Sequence, residues 1–338
     1  MNLKNDGNDS DWKKSGYRYY PLGMSMRREF GCPVWKVSVD AGFSCPNTDG
    51  AVGIGGCIFC NNKSFAPSRR LLTRENRAIS IQRQIEEGIR QLRRRYKADK
   101  FIAYFQPSTN TYDTPARLES VYRSALEHPD IIGLAIGTRP DTLPETVLDL
   151  LESISRDHWI QLEIGLQSTH NRSLNFLQRG HDYETFLDAF ERSRKHKLRL
   201  GVHLILGLPG ETQADLWETA EEMARLKPES VKLHNLYVVR KTRLADLWRS
   251  GDLHLPDLED YASLVVDFLE RLPPDIVIER ISGEADNDWL LAPDWIRIKH
   301  SARNAVDQEF RRRNSFQGSR FSHFEQKTVP VPITSEYG

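Results

Sequence analysis

The sequence lacks any apolar run of the length that a transmembrane helix needs, which is about 20 residues. Residues 1–16 are mostly polar and contain no apolar core of a signal peptide. The chain also lacks an excess of either sign of charge, because 47 lysines and arginines balance 47 aspartates and glutamates. No global field therefore favours nucleic acid as a partner, and we expect a cytoplasmic protein without membrane contact.

Cysteine is scarce as well, with four in the whole chain. Thiols of cytoplasmic proteins serve metal binding or catalysis more often than disulfides. Three of them, Cys45, Cys57 and Cys60, lie in residues 40–60, DAGFSCPNTDGAVGIGGCIFC, together with five glycines. Those glycines let the backbone fold tightly around a bound group. The spacing of Cys57 and Cys60 suits two thiolates on one inorganic centre.

Two kinds of inorganic centre fit three clustered thiolates. An iron–sulfur cluster held by three cysteines would leave one iron open to a cofactor or substrate. A structural zinc site would need a fourth protein ligand, which Cys32 or a distant histidine would have to supply. The residues alone leave both alternatives open, and the second would make the chain a non-catalytic zinc or nucleic-acid-binding protein.

Apolar strand patterns alternate with helical patterns along most of the chain. We predict strands at residues 34–39, 101–105, 131–136, 159–166, 198–206 and 230–238, and helices at residues 80–96, 115–127, 145–153, 183–196 and 213–226. Strict alternation indicates parallel strands with right-handed crossovers. Six units are fewer than the eight of a closed barrel, so the sequence predicts an α/β fold with a partial (β/α)6 barrel of the TIM type.

The chain divides into four predicted regions. Residues 1–16 are expected to be disordered by composition, and residues 17–252 form the partial barrel with its cysteine loop. Residues 253–321 form a C-terminal α/β extension that completes the barrel, and residues 322–338 are a flexible tail. Within the extension we predict a helix, a strand and a second helix at residues 257–272, 276–281 and 295–313.

Polar and glycine-rich segments follow the predicted strands, where a barrel of this kind builds its site. After the cysteine loop they are QPSTNTYD, GTRPD, GLQS, GLPGET and HNLYVVRKT. Basic clusters at residues 90–97, 192–199 and 311–313 are typical of solvated helix faces. The candidate site therefore lies in the loops at the carboxyl ends of the strands.

The cysteine loop resembles that of radical S-adenosylmethionine (SAM) enzymes, in particular the YhcC-like family, whose pattern is approximately GFxCPNRDGxxGxGGCxFC. Thr48 stands where that family usually has arginine. The resemblance covers residues 17–321 and extends to the Elongator catalytic subunit and oxygen-independent coproporphyrinogen oxidase. It favours a cluster over zinc, and implies the open barrel of the radical SAM core and a [4Fe–4S] cluster on Cys45, Cys57 and Cys60.

The same resemblance implies positions for SAM. Gln106, Ser108 and Thr109 occupy the loop that receives the methionyl amino group in relatives, although the familiar GGE string is absent here. Gln167, in LEIGLQS, matches a glutamine beside the ribose or methionyl end of SAM.

Three further positions complete the implied SAM site. Arg179 matches the arginine that binds the methionyl carboxylate, for which a guanidinium fork is suited; its alternative is an exposed arginine at a helix start. His203 falls where an oxidoreductase relative has a ribose-binding aspartate, and a satisfied core histidine is the alternative. Gly207 shapes the loop under the adenine. Lys232 and His234 share one face of the sixth strand, without an assigned role.

The activity that the resemblance implies is reductive cleavage of SAM to a 5′-deoxyadenosyl radical, which abstracts hydrogen from a substrate inside the barrel. A flavodoxin or ferredoxin would supply the electron. The Elongator catalytic subunit modifies the wobble uridine of tRNA, so a tRNA nucleotide is one expected substrate. Coproporphyrinogen oxidase uses the same core on a small molecule, so a metabolite is the alternative.

Overall fold

Across residues 11–65 and 80–321, which the computed structural model describes, seven parallel strands form one sheet. In spatial order they are β1 (Val34–Val39), β2 (Lys100–Phe105), β3 (Ile131–Thr138), β4 (Trp159–Gln167), β5 (Arg199–Leu206), β6 (Ser230–Asn235) and β8 (Val277–Arg280). Two short strands, β7 (Val238–Val239) and β9 (Leu290–Ala292), pair antiparallel beside that sheet. The predicted mixed α/β fold with a partial parallel barrel is confirmed.

Helices alternate with the strands. They are α1 (Asp11–Lys14), α2 (Leu22–Phe30), α3 (Pro46–Asp49), α4 (Asn62–Phe65), α5 (Ile81–Tyr96), α6 (Pro115–Leu126), α7 (Glu145–Ser155), α8 (Asn171–Phe176), α9 (Tyr183–Lys195), α10 (Gln213–Leu226), α11 (Arg243–Ser250), α12 (Leu258–Arg271) and α13 (Ser301–Arg313). Polar side chains accept from the exposed N–H groups at several helix starts, as Thr212 and Asp215 do reciprocally at α10.

The sheet curls strongly. Neighbouring strands lie about 4.8 Å apart, so a flat sheet would hold β1 and β8 roughly 29 Å apart. Instead, Lys36 of β1 and Glu279 of β8 form an ion pair at 2.6 Å. In the described part of the chain β1 and β8 are not hydrogen-bonded to each other, so the barrel encloses a lumen and stays open on one side.

The two faces of the curled sheet differ in character because alternate residues of a strand point to opposite sides. In β4, Leu162 and Ile164 are fully buried in the apolar core shared with the surrounding helices. The residues that alternate with them, Gln161 and Glu163, hydrogen-bond to side chains of other strands across the lumen. Apolar packing therefore lies outside the barrel, and polar side chains fill its interior.

The N-terminal segment closes one edge of the sheet. Trp12 of α1 is 2% exposed, and its Nε1 donates to Pro274 O at 3.1 Å. Further along, Ile278 N of β8 donates to Tyr20 O at 2.8 Å, and Pro21 forms a parallel bridge with Ile278. The expected disorder of residues 1–16 is therefore wrong for residues 11–14, while residues 1–10 and the tail at 322–338 lie outside the described ranges.

Two predicted elements are interrupted. The sixth strand was expected at residues 230–238 but ends at Asn235, whose side chain accepts from Gly283 N at 2.9 Å. The last helix was expected from residue 295, but His300 has a left-handed φ of 65° and separates a 3₁₀ turn from α13. In that turn, Trp295 stacks on Tyr261, so tertiary packing outweighs local helical preference.

In the described ranges, no helix is both long and apolar enough to cross a bilayer.

Candidate active site

A cavity of about 360 Å³ opens at the carboxyl ends of the strands. Its wall includes Cys45, Cys57 and Cys60, while Cys32 is not among the lining residues. The three cysteines thus meet at one place, as the sequence predicts, and Cys32 stands apart from them. Residues that end β3, β4 and β6 form the opposite walls. This is the position that barrel geometry predicts for a site.

The cysteine loop has a defined fold. Cys45 precedes the short helix α3, and Asn47 within that helix donates to Gln178 O at 2.7 Å and to Cys57 Sγ at 3.4 Å. Gly53 lies against the Asn47 side chain, where an added Cβ would collide with it. Gly56 has a φ of 79°, which favours glycine over other residues. The glycines therefore let Asn47 hold the loop beside Arg179.

Two arginines face the cysteines. Arg179 is 6% exposed and donates to Cys57 Sγ at 3.1 Å and to Gly165 O at 2.7 Å. Arg139 pairs with Asp141 at 2.7 Å. Within the described ranges, Arg179 Nε and Arg139 Nη1 are buried without a hydrogen-bond partner. Because buried donors are normally satisfied, these two atoms mark a place for an acceptor that a ligand would bring.

The three thiols influence one another. Withdrawal of its thiol from water, followed by the thiols of Cys57 and Cys45, raises the pKa of Cys60, although the residue as a whole is exposed, and Arg179 and Arg139 act in the opposite direction. A metal centre on these residues would reverse that rise, because a coordinated thiol is deprotonated outright.

The number of cysteines in the cavity wall bears on the choice between zinc and a cluster. Among the described residues, three cysteines line the cavity and Cys32 does not. A structural zinc site normally takes four protein ligands. Three cysteines fit an iron–sulfur cluster that keeps one iron open to another ligand.

Six of the seven predicted SAM positions line the same cavity: Gln106, Ser108, Thr109, Gln167, Arg179 and His203. The loop after β2 is tied to the cysteine loop, since Asn62 donates to Ser108 Oγ at 2.9 Å and Thr109 N donates to Ser44 O at 3.2 Å. Gly207 does not line the cavity. Its φ is 76°, and an added Cβ would lie 2.7 Å from Pro256 Cγ. The structure therefore places Gly207 in packing against the C-terminal extension.

Below the cavity, four side chains converge on one carboxylate. Glu163 is fully buried and accepts from Lys36 Nζ at 2.5 Å and Lys232 Nζ at 2.8 Å. Tyr104 OH donates to it at 2.9 Å, and His203 Nε2 lies 2.7 Å from it. His203 is thus a satisfied residue of the interior that also reaches the cavity wall.

A second carboxylate completes this arrangement. Glu279 accepts from Lys36 at 2.6 Å and from Ser230 Oγ at 2.7 Å, and Gln161 donates to it as well. The charges of Lys36, Glu163, Lys232 and Glu279 are therefore paired across four strands. We call this set the lumen network, which comprises Lys36, Tyr104, Glu163, His203, Lys232 and Glu279.

The network fixes the charge of its members. Burial alone would lower the pKa of Lys36, but the carboxylates of Glu163 and Glu279 outweigh it and raise that pKa. Burial would raise the pKa of Glu163, but Lys232 and Lys36 hold it well below its usual range. Burial, followed by the charge of Lys232, lowers the pKa of His203. At neutral pH the carboxylate and Lys36 are charged, and the imidazole is neutral.

Arg280 and His234 form another polar pair, which lies in the cavity wall next to the lumen network. The Nη2 group of Arg280 donates to the ring of His234, at 2.6 Å from Nε2 and 2.8 Å from Nδ1. Burial, followed by the charge of Arg280, holds the pKa of His234 well below its usual range. Both residues line the cavity, as do Lys232 and Tyr104. The imidazole is therefore a neutral acceptor for the guanidinium.

The sequence analysis did not single out Arg139, Lys36, Tyr104 or Glu163 as site residues. One signal was available, since Lys36 in VWKVSV and Glu163 in LEIGLQ are charged residues within otherwise apolar strand patterns. A charge in a buried strand is costly unless a partner meets it. Such a position predicts an interior partner, although the sequence does not say which residue it is.

Comparison with known proteins gives consistent results. A family model described as the radical SAM superfamily matches residues 54–223, and one described as a radical SAM C-terminal domain matches residues 228–312. The chain is 34% identical over 315 residues to the uncharacterized protein YtqA of Bacillus subtilis (strain 168), covering 92% of this chain and 95% of that protein. It is 36% identical over 288 residues to protein YhcC of Escherichia coli (strain K12), covering 85% and 90%.

The fold has a counterpart among solved structures. Elp3 of the archaeon Methanocaldococcus infernus, with its N-terminus deleted, superposes with a TM-score of 0.59 at 17% identity. The match covers 84% of this chain and 64% of that chain, so it shows a shared architecture only. The open parallel barrel, the three cysteines at its mouth and the family matches over most of the sequence agree. The chain belongs to the radical SAM superfamily.

Proposed function

We propose that this radical SAM enzyme holds a [4Fe–4S] cluster through Cys45, Cys57 and Cys60 and binds SAM in the cavity above the lumen network. One observation carries the proposal: three thiols and two arginines, each with one N–H group unsatisfied among the described residues, line a single cavity. When bound, the cluster would supply one electron for the cleavage of SAM to methionine and a 5′-deoxyadenosyl radical, which would take a hydrogen atom from a substrate. The substrate then lies in the same cavity.

The chain's own residues would orient SAM and shield the reactive species from water. The free N–H groups of Arg179 and Arg139 suit the carboxylate of SAM, because guanidinium–carboxylate hydrogen bonds are charge-assisted. The loop of Ser108 and Thr109 is anchored to the cysteine loop and fixes the wall where the amino group of SAM would lie. The apolar layer outside the barrel keeps water from the cavity floor, so a reactive species is protected from side reactions.

Anaerobic reconstitution tests this function. The purified chain is loaded with iron and sulfide, reduced by a flavodoxin or ferredoxin, and incubated with SAM. We expect four irons and four sulfides per chain and the release of 5′-deoxyadenosine. A colourless protein that binds zinc and leaves SAM unchanged would support the non-catalytic alternative instead.

For the substrate we propose a tRNA nucleotide, with a metabolite as the alternative. Arg240 and Lys241 are exposed beside the cysteine loop, where Asn61 Nδ2 donates to Arg240 O at 3.1 Å. The basic residues at 90–97 and 192–199 lie at the ends of α5 and α9, which return toward the amino ends of the strands. An RNA that reaches the cavity would therefore meet Arg240 and Lys241, not these two clusters.

The salt dependence of tRNA binding tests this choice. Each phosphate contact adds about 0.9 to the slope of log affinity against log salt on a duplex. We expect Arg240→Gln/Lys241→Gln to weaken binding and reduce that slope by about 2. The matched control is Arg94→Gln/Arg95→Gln at the far end of the barrel. Equal losses in both variants, or no tRNA binding together with unchanged tRNA nucleosides in a deletion strain, would transfer the proposal to a metabolite.

A further inference from the structure

Beside the lumen network, Arg280 carries a positive charge that no carboxylate of the described residues balances. Lys36 pairs with Glu163 and Glu279, and Lys232 pairs with Glu163. These four groups balance one another. Arg280 adds a fifth charge, and the neighbouring His234 and His203 are neutral because burial lowers their pKa values.

Arg280 is the group left without a counterion. Within residues 11–65 and 80–321, its guanidinium forms no ion pair with a carboxylate; its Nη2 donates to His234, and its Nε is buried without a partner. Glu284, which also lines the cavity, forms no ion pair with it. Arg313 shows the usual solution elsewhere in this chain, because it pairs with Asp267 at 2.5 Å and with two glutamates.

Arg280 is half-buried and lines the cavity beside Lys232. A guanidinium that is partly withdrawn from water is unfavourable without an anion, because its desolvation is not offset by a partner. The ammonium of Lys232 donates to Tyr104 OH at 2.6 Å and to Glu163 at 2.8 Å, so one of its three protons remains for a ligand. The two cations thus line the same cavity, and the excess of a single charge matches a monoanion.

We propose that Arg280 and Lys232 bind a singly charged oxyanion of the substrate, either a carboxylate or a phosphodiester, and so fix the substrate in the cavity. This inference rests on the proposed function, in which Arg179 and Arg139 serve the carboxylate of SAM at the cysteine side. Arg280 and Lys232 are positioning residues for the substrate. The neutral imidazole of His234 holds the guanidinium of Arg280 in place.

Titration with two probe anions tests the proposal. The cluster-loaded enzyme, saturated with SAM under anaerobic conditions, is titrated with acetate and with dimethyl phosphate at constant ionic strength, and binding is measured by calorimetry. We expect saturable binding of at least one anion, and at least tenfold weaker binding by Arg280→Gln. Tighter acetate binding indicates a carboxylate substrate, and tighter dimethyl phosphate binding indicates a nucleic-acid backbone.

A matched control is Arg199→Gln, since Arg199 pairs with Glu29 at 3.1 Å and does not line the cavity. It should bind both anions like the wild type. The inference is overturned if the wild type binds neither anion, if Arg280→Gln binds them equally well, or if Arg280→Gln weakens SAM instead. Formation of 5′-deoxyadenosine without substrate is measured in the wild type and in Arg199→Gln, where the two rates should be equal. Its absence from the wild type would contradict the proposed function, while the anion titration would still report on Arg280.

A second measurement covers the case in which Arg280→Gln does not fold. In the wild type labelled with ¹⁵N-histidine, acetate or dimethyl phosphate should shift the imidazole resonances of His234, because Arg280 donates to that ring. The resonances of His196, which lies on the helical exterior between Glu145 and Glu152, should not move. Unchanged His234 resonances at saturating anion would contradict the inference.

Discussion

The two halves of the lumen differ in how completely their charged side chains are partnered. In the lumen network, Glu163 accepts from four side chains and Glu279 from three, all of them in the described part of the chain. In the cavity above, Arg139, Arg179 and Arg280 each keep a buried nitrogen atom that has no partner among the described residues, although Arg139 also pairs with Asp141. The difference teaches that residue type and burial do not identify a binding site; unsatisfied donors that line a cavity do.

The largest effect is expected at the mouth of the barrel. Cys45→Ala, Cys57→Ala or Cys60→Ala should each abolish stable cluster binding, because every thiolate is a direct bond to iron. Iron content after anaerobic reconstitution and gel filtration measures it. Cys32→Ala is the matched control and should retain wild-type iron. Full iron content in any one of the three variants would show that the cavity is not the cluster site.

The lumen network should respond through stability. Glu163→Ala leaves Lys36 and Lys232 buried beside an empty space, which should lower the free energy of unfolding by about 3–5 kcal/mol. Urea unfolding of the cluster-free chain measures this. Glu145→Ala removes an exposed partner of His196 and should change stability very little. Equal stability of the two variants would show that the lumen network does not contribute to the stability of the fold.

The same carboxylate predicts a dependence on pH. The pKa of Glu163 is lowered in the folded chain, because its attraction to Lys232 and Lys36 outweighs burial. Its contribution is therefore present above the unfolded pKa, about 4.3, and is lost as pH falls through the lower folded pKa. Urea midpoints should thus converge between wild type and Glu163→Gln as the pH drops below about 4.3. A constant gap down to the acid limit would indicate that Glu163 is not ionised.

A smaller effect is expected for Arg179→Ala, which should keep the cluster and weaken SAM. Loss of a charge-assisted hydrogen bond costs about 1.5–3 kcal/mol, or roughly 10- to 150-fold in affinity. Equilibrium binding of SAM to the reconstituted variant measures this. Arg172→Ala, which removes an exposed guanidinium paired with Asp215, is the control. Wild-type affinity in Arg179→Ala would mean that SAM finds its carboxylate partner elsewhere.

The smallest effect is expected for Tyr104, which lies at the boundary between the lumen network and the cavity. Tyr104 both lines the cavity and donates to Glu163, while Lys232 donates to its hydroxyl. Tyr104→Phe should lower the free energy of unfolding by about 1–2 kcal/mol and leave SAM affinity unchanged. Thermal unfolding and SAM binding, measured on the same preparation, separate these outcomes. A large loss of SAM affinity would show that Tyr104 belongs to the SAM-binding cavity and not only to the lumen network.

Local patterns were sufficient to predict some features and not others. The strands, the crossover helices and the cysteine loop each depend on a short stretch of sequence. Their types and approximate bounds were therefore predictable. The lumen network joins residues that are far apart in the chain, as Lys36 and Glu163 are by 127 positions. Which charges meet depends on the curl of the sheet and on register, and neither follows from a single segment.

Gly207 and residues 11–14 also show that contacts with distant segments cannot be predicted from local sequence. Gly207 resembles a cofactor-loop glycine by position, but Pro256 of the extension occupies the space beside it. Residues 11–14 are polar in composition, yet Trp12 is buried by contact with a segment near residue 274. In both cases a distant part of the chain decides the environment, which neither the resemblance at Gly207 nor the composition of residues 11–14 indicates.

The bridge between Pro21 and β8 has a consequence for how the chain is made. Ile278 is synthesised long after Tyr20 and Pro21, so this edge of the sheet is covered late. Until then, a strand edge is available for pairing with another nascent chain. Once in place, Pro21 has no N–H group to offer a further strand. Tyr20 and Pro21 thus protect this edge from self-association only after β8 has been made.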